Sequence, residues 1–154
     1  MVQIKKVASK DDVIICSKAI LEFRPNLNAE TLVGQTLRMM DEGFKIAYIP
    51  TEDHSQAAAF VGYRSYEMYR TGKIIYIDDV FTSPECRGRG YAAALLKHIE
   101  AEALAAGIQS IHLDSGYALH PAHRLYLNQG YILPCHHFTK PLSSDHVQDQ
   151  QNKQ

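Results

Sequence analysis

Residues 74–96 read Ile-Ile-Tyr-Ile-Asp-Asp-Val-Phe-Thr-Ser-Pro-Glu-Cys-Arg-Gly-Arg-Gly-Tyr-Ala-Ala-Ala-Leu-Leu, and their order decides the fold. The run begins apolar, β-branched and aromatic, the composition of a buried strand. It ends at Ser83-Pro84 because proline cannot donate to a sheet ladder. From Tyr91 onward, Ala92, Leu95, Leu96, Ile99 and Ala103 recur at helical spacing, so residues 86–90 form a glycine loop that opens into a helix spanning about residues 88–106. Such a junction leaves the first backbone N–H groups of the helix without partners and sets the positive end of its dipole at the loop, which suits a phosphate. Gly88 and Gly90 permit close approach of the backbone, and Arg87 and Arg89 add charge-assisted contacts, so the expected anion is a cofactor's phosphates. For a glycine pair alone, a tight helix start with arginines in water is the ordinary alternative.

Two familiar phosphate loops do not fit. A P-loop needs Lys-Ser/Thr after its last glycine, and Tyr91-Ala92 follows Gly90. Gly88-x-Gly90-x-x-Ala93 matches the letters of a dinucleotide fingerprint, but no acidic residue closes a strand about 20 residues on, as that fold requires.

The loop Arg87-Gly88-Arg89-Gly90-Tyr91-Ala92 resembles the acyl-CoA loop of the GNAT superfamily of N-acetyltransferases, Arg/Gln-x-x-Gly-x-Gly/Ala after a strand. A second block, Ala122-His123-Arg124-Leu125-Tyr126-Leu127-Asn128-Gln129-Gly130-Tyr131, is similar to that family's Ala-x-x-Leu/Phe-Tyr-x-x-x-Gly-Phe/Tyr segment. The resemblance implies an α/β (α+β) fold in a single domain, residues 1–142. Its sheet would be mixed, mainly antiparallel, of six to seven strands flanked by about four helices, with a central parallel strand pair. One departure stands out: many members carry an asparagine shortly before the second block, where this chain has Leu119-His120-Pro121.

Outward from the loop, the elements fall in a matching order. Residues 2–7 alternate as a first strand, and Ser9 with Asp12 is a cap for a helix burying Val13, Cys16, Ala19, Ile20 and Phe23 and stopping at Arg24-Pro25. Asn28 caps a second helix that Gly43 ends. Residues 44–50 and 56–64 are strands around a polar hairpin loop, followed by the strand at residues 73–82. After the long helix comes a strand at residues 110–114, parallel to residues 74–82, then a helix opening at Pro121, then two closing strands at residues 131–133 and 136–139. Residues 143–154 are polar and have little to bury, the composition of a disordered tail.

Composition bounds the function. A chain of 154 residues is one domain, and a net charge of −1 offers no basic field for nucleic acid. No apolar run reaches the roughly 20 residues that span a bilayer, so no membrane role is expected. Cys16, Cys86 and Cys135 are scattered and odd in number, which points to a reducing, cytoplasmic setting. The histidines of the last third, His112, His120, His123, His136 and His137, lack a ligand spacing, and no metal is expected.

The family resemblance implies transfer of an acetyl group from acetyl-CoA, the co-substrate, to an amine acceptor by direct attack in a ternary complex. Backbone amides at residues 87–92 would hold the pyrophosphate, a strand N–H at Val80 or Phe81 would polarise the thioester carbonyl, and Tyr126 would be the general acid. For the base, Asp78 and Asp79 are adjacent and face opposite sides of a regular strand. Asp78 is the candidate, because Asp79 shares a face with Ile75, Ile77 and Phe81; pairing with an arginine is the competing use of either carboxylate. Arg24, Asn26 and Leu27, at the joint of the first two helices, are candidates for acceptor contact. The acidic residues around Asp78 and Asp114 mildly favour a cationic acceptor among small amines, amino acids, antibiotic amines and protein amines. A homodimer is common in the family. The rival from another class is a non-catalytic acyl-CoA-binding regulatory module, which would bind without turnover.

Overall fold

The computed structural model describes residues 1–143. Two compact units divide at Leu113 and Asp114. The first contains β1 (Lys5–Lys6), α1 (Lys10–Phe23), α2 (Leu32–Asp41), β2 (Lys45–Pro50), β3 (Ala57–Met68), β4 (Gly72–Thr82), α3 (Tyr91–Ala105) and β5 (Ser110–Leu113). The second contains α4 (His120–Asn128).

One mixed sheet of five strands, in the order β1-β2-β3-β4-β5, forms the frame of the first unit. Neighbours pair antiparallel except β4 and β5, which run parallel with Ile74 opposite Ser110 and Ile77 opposite Leu113. The mixed, mainly antiparallel sheet and the four α-helices match the sequence reading, and the strand count does not. Residues 131–133 and 136–139 form no strand, because Pro134 removes a donor between two very short runs, and His137 instead pairs with Asp114 at 3.2 Å. The parallel pair is therefore at the sheet edge, not central. Residues 2–4 also stay outside β1. The expected disordered tail falls, from residue 144, outside the described residues.

The helices cover both faces. On one, Val13, Cys16, Ala19 and Ile20 of α1 and Leu32 of α2 bury against Phe44, Ile46, Tyr48, Phe60 and Phe81. On the other, Leu95, Leu96, Ile99 and Ala103 of α3 are buried over β3 and β4. Burying a side chain of this size contributes about 1.5–3 kcal/mol relative to exposure, so these two layers hold the sheet.

The caps follow the sequence at α1. Ser9 Oγ accepts from the Asp12 N–H at 3.3 Å while Asp12 Oδ2 accepts from the Ser9 N–H at 3.1 Å, the reciprocal box that the Ser-x-x-acid spacing encodes. At α2 the expectation fails by one turn. The helix begins at Leu32, and Asn28 Oδ1 accepts from the Glu30 N–H at 2.8 Å in the turn before it.

Candidate active site

The glycine loop is a short connector from β4 to α3. The Ser83 N–H still pairs with Ala58 C=O at 2.9 Å, and residues Pro84–Cys86 then make one 3-10 turn that Cys86 closes on Ser83 C=O at 2.8 Å. Gly88 and Gly90 have φ of 78° and 75°, in the left-handed region that favours glycine. A Cβ on either would meet no atom within 4 Å, so the space in front of the loop is open as well. α3 then starts at Tyr91 with no side chain capping it. The first-turn amides thus have no side-chain cap, and the helix dipole lies behind them, an arrangement that suits an anion.

The two arginines differ. Arg87 Nε donates to Thr82 C=O at 3.2 Å and so buckles the loop to the end of β4. Arg89 is exposed, and the Tyr91 hydroxyl beside it raises its already high pKa.

β4 outruns its parallel partner. Pairing to β5 stops at Ile77, and β4 continues through Thr82 with a strand on its β3 side only. Ser83 stands opposite Ala58 and bonds to it, so by antiparallel alternation Phe81 and Asp79 also point their amides at β3, while Val80 and Thr82 point theirs at the free edge. The bond from Arg87 to Thr82 C=O is an independent sign of that direction. Of the two strand amides singled out in the sequence, it is the Val80 N–H that faces outward.

Between Ile77 and Asp79 the ladder shifts register: Tyr63 stands opposite Ile77 and Gly62 opposite Asp79, leaving Asp78 as the extra residue of a β-bulge. The bulge reverses the phase of the strand. Ile75 and Ile77 share the α3 face with Ser65 and Tyr63, whereas Asp79 and Phe81 share the α1 face with Gly62 and Phe60. The expectation that Asp79 lies on one face with Ile75 and Ile77 is thus overturned.

Asp78 also turns toward the α1 side, where Arg64 holds it. Arg64 Nε meets Oδ1 at 3.1 Å and Nη2 meets Oδ2 at 2.7 Å, fork to fork, while the guanidinium lies 5.2 Å from the Phe44 ring centre. That bond to Asp78 raises the Arg64 pKa against the effect of burial, and the charges of Glu42 and Asp79 add to it. Asp79 is held by Arg24 at the end of α1, with Nε at 3.1 Å and Nη2 also on the same oxygen, Oδ1. The Arg24 guanidinium stacks on Phe23 at 4.2 Å. Both aspartates therefore pair with arginines, the competing use foreseen above. One sign of the bulge was present in the sequence, an isolated glycine, Gly62, within a strand. Gly62 has a packing reason too, since a Cβ there would lie 2.6 Å from the Phe44 ring.

In the second unit, Tyr126 is half-buried on α4, its ring 5.8 Å from that of Tyr131, and the Tyr131 N–H donates to Tyr126 C=O at 3.0 Å. His123 Nε2 lies 2.8 Å from Gly116 C=O, which identifies that nitrogen as the protonated one. His120 is exposed and contacts only the edge of His123 among the described rings. Among the described residues no three His, Cys, Asp or Glu side chains gather as a metal site, and no helix is long and apolar enough to cross a membrane.

Sequence reasoning missed a cluster at the far end of α3, about 17 Å from the loop at 1.5 Å per residue. Glu102 receives Tyr63 Oη at 2.9 Å and Lys6 Nζ at 2.8 Å, with Lys45 Nζ at 3.7 Å. Burial pushes the Glu102 pKa up, and the bonds from Lys6 and Tyr63 with the charges of Lys6 and Lys45 outweigh it, so the net shift is downward. Burial first, and Glu102 second, push the Tyr63 phenol well above its usual value. A cavity of about 400 Å³ opens beside this cluster, lined by Lys45, Ser65, Lys73 and Ile75.

An open-edged strand running through a glycine loop into an uncapped helix is the geometry that suits a phosphate-bearing, extended ligand. Comparison with known proteins makes this specific. The acetyltransferase (GNAT) family profile matches residues 21–131, most of the chain, and the protein belongs to that family. The uncharacterized N-acetyltransferase YhdJ of Bacillus subtilis is 26% identical over 143 residues, covering 92% of this chain and all of that protein. Among solved structures, the fold is shared with the ribosomal-protein-alanine N-acetyltransferase of Brucella melitensis biovar Abortus, at a TM-score of 0.78 and 14% identity over 92% of this chain and 100% of that one. It is shared equally with the aminoglycoside N-acetyltransferase AAC(6')-Iy in complex with CoA, at a TM-score of 0.79 and 11% identity over 93% and 96% of the two chains.

Proposed function

We propose that the protein is an N-acetyltransferase that uses acetyl-CoA as co-substrate and passes the acetyl group directly to an amine. The observation that carries this is the free edge of β4 at Val80 leading without interruption into the open loop at Gly88 and Gly90. An extended amide-bearing arm suits the first and a pyrophosphate the second. The cradle fits on the structure's own terms, since a side chain at either glycine would occupy the open space and α3 brings no cap of its own.

In this reading the amides at Gly88, Arg89, Gly90, Tyr91 and Ala92 bind the pyrophosphate, and Arg89 adds charge from the loop rim. Arg87, itself exposed, keeps the loop fastened to Thr82 through Nε. Phe81 anchors the strand on β3, so the Val80 N–H is the donor that polarises the thioester carbonyl. Bound acetyl-CoA supplies the activated acyl carbon. The ammonium gives one proton up through Asp78, the neutral amine nitrogen then forms the new C–N bond as the C–S bond breaks, and Tyr126 gives its phenolic proton to the departing sulfur and is restored by the second proton that the nitrogen loses as the amide forms. Asp78 has two of its roughly four lone-pair sites on Arg64, so a bridging water at the others is the route. We further take residues 1–142 to work as one acyltransferase domain, in the cytoplasm, where the free thiols Cys16, Cys86 and Cys135 persist.

The test is calorimetric titration of acetyl-CoA into the wild type and into Arg87→Ala/Gly90→Glu, with ATP and NAD as controls, followed by thiol release over a panel of amines. Loop-dependent acetyl-CoA binding with turnover is expected. Loop-dependent binding without turnover of any amine would turn the reading to a non-catalytic acyl-CoA-binding module, and no binding would remove it. Sedimentation of the same samples tests for a homodimer.

A further inference from the structure

We propose that the acceptor is a free α-amino acid, received by the Arg24–Asp79 pair with its carboxylate on Arg24 and its ammonium on Asp79. This rests on the acetyl-CoA reading above, which sets the acyl carbon at the Val80 amide, one residue from Asp79.

The two arginine–aspartate pairs on the α1 face are built differently. Arg64 and Asp78 meet fork to fork, with both carboxylate oxygens engaged. Arg24 sends Nε and Nη2 to a single oxygen, Oδ1 of Asp79. Asp79 Oδ2 lies outside that pair. The Nη1 end of the Arg24 guanidinium makes no hydrogen bond among the described residues, although its planar fork matches a second carboxylate. The pair is thus half-used on both sides, with the unused donor and the unused acceptor on adjacent groups. Phe23 under the guanidinium keeps its plane in place.

Charge decides between acceptor classes. Asp79 is already neutralised, so a simple amine that took it would compete with Arg24 and leave a partly buried guanidinium, 27% exposed, with less compensation. A polycationic amine would meet both Arg24 and Arg64 at close range, and like charges repel. A zwitterion brings one charge for each member, so the count stays balanced after binding. The mild preference for a cationic acceptor, drawn from the acidic residues around Asp78 and Asp114, left out the arginines that Asp78 and its neighbour Asp79 hold, and counting them turns it toward a zwitterion.

The experiment compares matched sets of three acceptors: an L-amino acid, its amide, and its decarboxylated amine, with small, aliphatic, aromatic and charged side chains. Thiol release gives kcat/KM for each, and acetyl-CoA titration runs on the same protein. At least one amino acid is expected to exceed its amide and its amine by roughly tenfold or more, the size of a charge-assisted contact. That ratio should collapse toward one in Arg24→Gln and fall part-way in Arg24→Lys, which keeps charge without the fork. Amides or amines used as well as the acids, or no amino acid used by a protein that binds acetyl-CoA, would overturn the inference. A protein that binds no acetyl-CoA would instead overturn the acetyltransferase reading, so the two failures separate. The wild-type series decides the matter even where a variant fails to fold.

Discussion

Helix α3 has two unlike ends. At Tyr91 it is unfinished: no side chain caps it, and two left-handed glycines hold the space before it open. At Glu102 nearly everything is satisfied, with Lys6, Lys45 and Tyr63 converging on one carboxylate. Unpaired amides cost stability, and if the open end holds the cofactor as proposed, recognition and cohesion are separated along a single helix.

The sharpest way to break the comparison is to close the open end. Gly90→Glu places a carboxylate where the pyrophosphate belongs. Loss of two charge-assisted bonds at about 2 kcal/mol each should weaken acetyl-CoA binding about a thousandfold by calorimetry. The left-handed backbone costs a non-glycine residue about 1–2 kcal/mol, so melting should fall by only a few degrees. Next, Tyr126→Phe tests the chemistry without touching either end: kcat should drop about 10²–10³-fold while acetyl-CoA affinity stays, since a general acid acts in the transition state. An unchanged kcat would remove the tyrosine from the mechanism.

At the other end the readouts exchange. Glu102→Ala leaves the buried Tyr63 hydroxyl unpaired and should cost about 1–3 kcal/mol in urea unfolding with no change in acetyl-CoA affinity. Equal loss of both would show that the two ends are not separate. The same carboxylate predicts a pH signature. Its folded pKa lies below the ordinary 4.5, so its contribution is complete above that value and fades as pH falls through the folded pKa. The stability gap between wild type and Glu102→Gln should therefore narrow as the pH falls below about 4.5 and close in stronger acid. The smallest effect belongs to Ser9→Ala, about 1 kcal/mol for one lost cap, with binding unaffected.

What the residues disclosed, and what they did not, follows the range of the forces involved. Strand, loop and helix between Ile74 and Leu96 were legible because β-branched runs, proline, glycine and helical spacing act within a few positions. The capping box at Ser9 was legible for the same reason. The phase of Asp79 was not, because a bulge arises from how two strands register, and only Gly62 hinted at it. Arg24 stands 55 positions from Asp79, and Tyr63 stands 39 from Glu102, so no local pattern could pair them. The strands expected at residues 131–133 and 136–139 failed because their apolar letters look the same whether or not a partner edge receives them. The loop residues named from the sequence do adjoin one another in the first unit, and the outward amide narrowed to Val80 only once the β3 register was known.

The bulge at Asp78 makes that residue oddly dispensable to the architecture. Deleting one residue from a buried strand normally turns every side chain beyond the cut to the wrong face. Here Ile77 and Asp79 already stand on opposite faces, so removing Asp78 would restore an unbroken alternation and leave each neighbour where it was. Arg64, about one-third exposed, would be left to turn toward water. A deletion variant that melts within a few degrees of wild type while losing turnover would mark Asp78 as a residue inserted into a finished strand, an addition that evolution could make or withdraw in a single step.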